Sequence, residues 1–156
     1  MTTLHDYLAA EHRACDAHYK QAKEHVIDRD WEAASDAFGR FACTLEQHLQ
    51  GEEALLFPAV ERLTGGGGPT ATMRMEHGHI RLLVQRMADA IDAHDANACF
   101  DHADSLRILM HQHKLKEENV LYPTALHLLG ATARPLLEQM RRQWEHPAGA
   151  PLGEPA

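Results

Sequence analysis

The chain has 156 residues, 44% of them hydrophobic, and a chain of about 150 residues buries about 70% of its unfolded surface, so one domain with a real core is expected. Fifteen Lys and Arg stand against 23 Asp and Glu, and the formal charge of −8 argues against a nucleic-acid or anionic-membrane partner and leaves room for bound cations. Cys15, Cys43 and Cys99 form no C-x-x-C pair, no leader opens the chain and no apolar run nears the ~20 residues of a bilayer span, which excludes a disulfide framework, a thiolate zinc site and a membrane helix and predicts a soluble cytoplasmic protein.

A first helix is predicted from about Leu4 to Val26, with Thr3 as N-cap and Asp6 as its capping-box partner. The stripe Leu8, His12, Cys15, Tyr19, Ala22 and Val26 has helical spacing. Ile27 to Asp30 interrupts it, and Asp30 caps a second helix that carries Phe38, Phe41 or Ala42, Leu45, His48, Glu52, Leu55 or Leu56, and Ala59 inward. Pro58 lies late in this helix and should kink or end it. Gly65 to Gly68 and Pro69 form the linker between two halves.

A third helix is expected over about Thr72 to Ala93. After His94-Asp95-Ala96 a fourth carries Phe100, Ala103, Leu106, Leu109 or Met110, His113, Glu117, Val120 or Leu121, and Thr124 inward. Gly130 ends or bends the chain, Ala131 to Trp144 forms a short fifth helix with Pro135 in its first turns, and residues 147–156 form a loose Pro- and Gly-rich tail. Strand signals are absent, so the fold class is all-α, an up-down-up-down four-helix bundle with a short C-terminal fifth helix.

The halves repeat. His48 to Pro58 and His113 to Pro123 both read H-x-x-x-E-E-x-x-L-(F/Y)-P, and the offset of 65 positions between them also carries Glu11-His12 onto Glu76-His77. Residues four apart on a helix lie on one face a turn from each other, so His48 with Glu52, and His113 with Glu117, can aim an imidazole and a carboxylate at one point. The repeat is therefore read as two related hairpins about a pseudo-twofold axis, with His12, His48, Glu52, His77, His113 and Glu117 converging on one interior metal site.

Imidazole and carboxylate together suit Fe, Mn, Zn or Co. A single His on an apolar face is more often a satisfied core residue than a ligand. The set resists that reading, because two carboxylates buried among apolar side chains without a cation each cost several kcal/mol or stay protonated. Glu53 and Glu118 are extra ligands, acceptors for ligand N–H groups, or solvated charges, the last two being favoured. Glu11 and Glu76 flank ligands. Asp16, a turn from His12, is placed to orient an imidazole, while His79 and His111 point nearly opposite to the site. Phe57 and Tyr122 occupy equivalent places and read as core, Tyr122 alone bringing a hydroxyl.

The motifs Glu11-His12, His48-x-x-x-Glu52, Glu76-His77 and His113-x-x-x-Glu117-Glu118-x-x-Leu121-Tyr122-Pro123 resemble the hemerythrin-like, or HHE cation-binding, family over about residues 4 to 130. The resemblance implies one such domain over residues 1–146 and a non-haem centre of two Fe ions, oxo- or hydroxo-bridged and spanned by the two carboxylates, with Zn or Mn as substitutes. The oxygen carriers of that family have another His one turn before the third-helix ligand, where this chain has Met73, with Leu8 as its repeat equivalent. They also have an Asp, one residue further on, in place of Glu117. The resemblance is therefore to the bacterial relatives rather than to dedicated carriers.

The function expected is a metal-binding protein that binds or reacts with a small gaseous or peroxide ligand such as O2, peroxide or NO, for sensing, protection or iron handling, with no nucleic-acid or membrane partner and as monomer or homodimer. No catalytic residue is assigned. The alternatives are a non-catalytic zinc or iron module and a factor for repair of damaged iron centres, the latter disfavoured because relatives in that role carry an added N-terminal segment.

Overall fold

Thr3 opens the first helix as its sequence requires. Its hydroxyl accepts from the Asp6 N–H, the Asp6 carboxylate accepts from the Thr3 N–H, both at 3.1 Å, and the helix α1 runs Leu4–Ile27. A computed structural model describes residues 2–66 and 68–145, in the order α1, α2 (Trp31–Gly51), a π-turn (Glu52–Leu56), α3 (Phe57–Thr64), α4 (Pro69–Asp92), α5 (Ala96–Lys116), a second π-turn (Glu117–Leu121), α6 (Tyr122–Leu129), a 3-10 turn (Gly130–Thr132) and α7 (Ala133–Glu145). Among the described residues there is no strand. The four long rods, α1, α2–α3, α4 and α5–α6, make the all-α bundle, and α7 is the short fifth helix. The expected tail, 147–156, lies outside the described residues.

The repeat extends into the connections. Asp30 and Asp95 each cap a helix, accepting from the N–H three residues on. The residue before each, Arg29 and His94, has φ of 59° and 54°. Gly65 and Gly130, again 65 apart, both end a helix at positive φ, 78° and 53°, where a side chain would be strained.

Pro58 does not end its helix. The turn before it widens, Phe57 N–H bonding to Glu52 C=O, which makes room for the ring. Pro58 then falls at the second position of α3, where a missing N–H costs little, and the α-register resumes to Thr64. The second half does the same at Glu117–Leu121. The extra residue in the turn shifts the register of α6, so Ala125 is buried and Thr124, expected inside, is exposed. Cys43 is exposed, while Cys15 and Cys99 are buried.

Two apolar clusters sandwich a polar layer. Cys15, Leu45, Leu49, Ile80 and Met110 belong to one; Leu8, Leu56, Phe57, Met73, Leu121 and Tyr122 belong to the other. Each rod thus carries its His or Glu between apolar residues one turn away on either side. The amphipathic α7 lays Leu136, Leu137 and Met140 onto the second cluster, and Gly51 lets it come close: a Cβ there would meet Met140 Cε at 3.3 Å. No helix among the described residues is long and apolar enough to cross a membrane.

Candidate metal centre

The polar layer holds all six predicted side chains. His12, His48, His77 and His113 are at most 5% exposed, and Glu52 and Glu117 are fully buried. One atom each of Glu52, His77, His113 and Glu117 lie within 4.8 Å of one another, and the same holds for His12, His48 and Glu117. Each half therefore pairs its own two imidazoles, and the carboxylates join the pairs. Glu52 Oε1 lies 3.3 Å from His48 Nε2 and 3.2 Å from His77 Nε2. Glu117 Oε1 lies 3.1 Å from His113 Nε2 and 3.2 Å from His12 Nε2.

Every imidazole turns its other nitrogen to a carboxylate. His48 Nδ1 donates to Glu11 at 3.1 Å and His113 Nδ1 to Glu76 at 2.8 Å, both within one half. His77 Nδ1 donates to Glu53 at 2.7 Å and His12 Nδ1 to Glu118 at 2.9 Å, both across the halves. The four contacts obey the repeat. The Glu-Glu doublets work because each begins a π-turn, whose wider turn brings neighbouring residues closer round the axis than an α-helix does. One carboxylate of each doublet enters the centre and the next reaches an imidazole of the other half.

With Nδ1 holding its proton against a carboxylate, Nε2 presents a lone pair to the centre. The buried His77 Nε2, His113 Nε2, Glu52 Oε1 and Glu117 Oε2 have no hydrogen-bond partner. Acceptors facing acceptors at 3.1 to 3.3 Å repel unless protons or cations lie between them, so the donor set fits metal ions. Protons are the fallback. Burial alone would lower the pKa of His113, but Glu117, Glu52 and Glu76 outweigh it and raise it from 6.5 to about 9. Burial is likewise outweighed at His48, chiefly by Glu52, and its pKa lies well above the ordinary value.

Charge points the same way. Glu52, Glu117, Glu11, Glu76, Glu53 and Glu118 carry six negative charges. The cations that reach them among the described residues are Arg81, on Glu53 and Glu46, and Lys116, on Glu76. With neutral imidazoles the layer keeps a net negative charge, which bound cations would offset.

The halves are not identical. Tyr122, read as core from the sequence, is buried with its hydroxyl in the centre, donating to Glu52 Oε2 at 2.7 Å and lying 3.2 Å from His12 Nε2. Burial and then the charges of Glu117 and Glu52 hold its phenol well above the usual pKa. Its repeat partner Phe57 brings no hydroxyl and packs its ring on His77, at 5.3 Å between centroids, and under the Arg74 guanidinium. Asp16 does not orient His12: it accepts from Lys114 Nζ at 2.7 Å, a long-range cation winning over a neighbour on its own helix. Glu11 and Glu76, noted in the sequence only as flanking residues, prove to be imidazole partners, a role their fixed place before His12 and His77 signals. His79 and His111 are exposed and outside the centre.

A family model described as the hemerythrin HHE cation binding domain matches residues 3–125. No curated protein and no solved structure matches the chain.

Proposed function

This chain belongs to the hemerythrin HHE cation-binding family, and from that premise we propose that it is a non-haem di-iron protein that binds or reacts with a small molecule such as O2, peroxide or NO, for sensing, protection or iron handling. In this reading His12 and His48 would hold one ion and His77 and His113 the other, with Glu52 and Glu117 as the carboxylates available between the two pairs. The observation that carries it is the shared carboxylate: Glu117 reaches the imidazoles of both halves and belongs to both groups of clustered donors. Iron bound there would supply an open coordination position and a change of redox state for the small molecule.

The chain's own residues do the rest. Glu11, Glu53, Glu76 and Glu118 hold the Nδ1 protons and so fix which nitrogen each imidazole offers. The Tyr122 hydroxyl donates to one oxygen of Glu52 and fixes that carboxylate in place. The two apolar clusters exclude bulk water from above and below the layer. A cytoplasmic setting fits the free Cys15, Cys43 and Cys99.

Metal analysis of anaerobically purified protein, with its absorption spectrum before and after exposure to O2 and NO, tests the reading. It expects about two irons per chain and a near-ultraviolet band that changes on reduction. Zinc with a silent spectrum would leave a non-catalytic metal module instead.

A further inference from the structure

On a chain with a formal charge of −8, one groove is basic. It lies between α1 and α5, encloses about 430 Å³, and is lined by Asp16, Tyr19, Lys20, Lys23, Arg107, Met110, His111 and Lys114. Asp16 is already taken by Lys114, and the charge of a second carboxylate, Asp104, is felt by Tyr19. Among the described residues Lys20, Lys23 and Arg107 have no ion-pair partner, so their charge is free to act on a ligand.

The groove borders an inner space. Met110 and Lys114 line it and also line a cavity of about 10 Å³ whose wall includes His12, His48, His113 and Glu117. That volume is about one water-sized probe. Lys114, tied to Asp16, is part of the wall of both spaces.

We propose that this groove is the access route to the centre for a small inorganic monoanion, gathered by Lys20, Lys23 and Arg107 and admitted past the Lys114–Asp16 ion pair. The inference rests on the ligand-binding reading above and adds a charged class of ligand to the neutral O2 and NO named there. Positive side chains lining a cleft raise the local concentration of an anion and its rate of arrival, an effect that salt screens. A neutral molecule gains nothing from them.

The probe is azide. Its association rate with the iron-loaded full chain is measured against ionic strength for the wild type, for Lys20→Glu/Lys23→Glu/Arg107→Glu, and for Arg40→Glu/Arg86→Glu/Arg142→Glu, which makes the same change of net charge elsewhere. The groove variant should bind azide roughly tenfold more slowly at low salt with a flattened salt dependence, the control variant should keep most of the wild-type rate, and the neutral probe NO should arrive equally fast in all three. Azide should also shift backbone amide signals of α1 and α5 along the groove in the zinc-loaded protein, a readout independent of iron chemistry. Equal azide rates in the groove and control variants would overturn the proposal alone. Iron-loaded wild type that responds spectrally to NO but not to azide would also overturn this proposal alone, and one that responds to neither would overturn the ligand-binding reading with it.

Discussion

His12 Nδ1 donates to Glu118 Oε2 at 2.9 Å across 106 positions of sequence, from the first helix of one half to the π-turn of the other. Its mirror, His77 to Glu53, spans only 24 positions, yet it crosses between the halves in the same way. Each hairpin therefore orients an imidazole of its partner. Glu53 is itself held by Arg81, whereas among the described residues Glu118 bonds His12 alone. Glu118→Ala should weaken metal binding about 10- to 100-fold with helix content unchanged. A competition titration against a chelator checks this, and wild-type affinity in the variant would remove the orienting role.

Glu52→Ala and Glu117→Ala should each lose most bound metal, because each carboxylate serves imidazoles of both halves. His79→Ala and His111→Ala, on the exposed face, should retain the full complement. Metal per chain in the four purified variants decides it, and equal losses from all four count against the shared centre.

Tyr122→Phe would make the second half match Phe57 of the first, at the cost of the hydroxyl on Glu52. A buried carboxylate left without its donor should lower the stability of the metal-free protein by about 1–3 kcal/mol. The loaded protein should lose less, since a cation can satisfy Glu52. Urea unfolding of both forms measures the difference, and an equal loss in the two would place the hydroxyl outside the metal's influence.

The pKa of His113 is raised in the fold, from 6.5 to about 9, burial opposing and the carboxylates prevailing. A group so raised favours folding while it is protonated. Its contribution is full below 6.5 and is lost as pH climbs through about 9. Metal-free protein should therefore be more stable at about pH 6 than at about pH 9.5, and metal binding at neutral pH should release protons. Denaturation at the two pH values tests the sign, and metal-free stability that rises over this interval would contradict it.

Much of the centre is legible in the sequence because its spacing is both helical and repeated. His48 and Glu52 are one turn apart, His113 and Glu117 repeat them 65 residues on, and Glu11-His12 recurs as Glu76-His77. The π-turns are hidden, since widening a turn alters the path of the backbone without altering the sequence spacing; the Glu-Glu doublets followed by a Pro are their trace. A uniform α-helical count misplaces Thr124 for that reason. Helical proximity assigns Asp16 to His12, but its partner is Lys114, which no local pattern reveals. Tyr122 reads as core because burial and a role at the centre leave the same mark in a periodicity, and only the contact with Glu52 separates them.

Two cations held in one layer of six side chains are the arrangement on which these expectations depend. Anomalous diffraction from crystals of the loaded protein would locate them. Two peaks are expected, one against His12 and His48 and one against His77 and His113, both in contact with Glu117. A single peak, or peaks only at exposed histidines such as His79 and His111, would be incompatible with a shared centre.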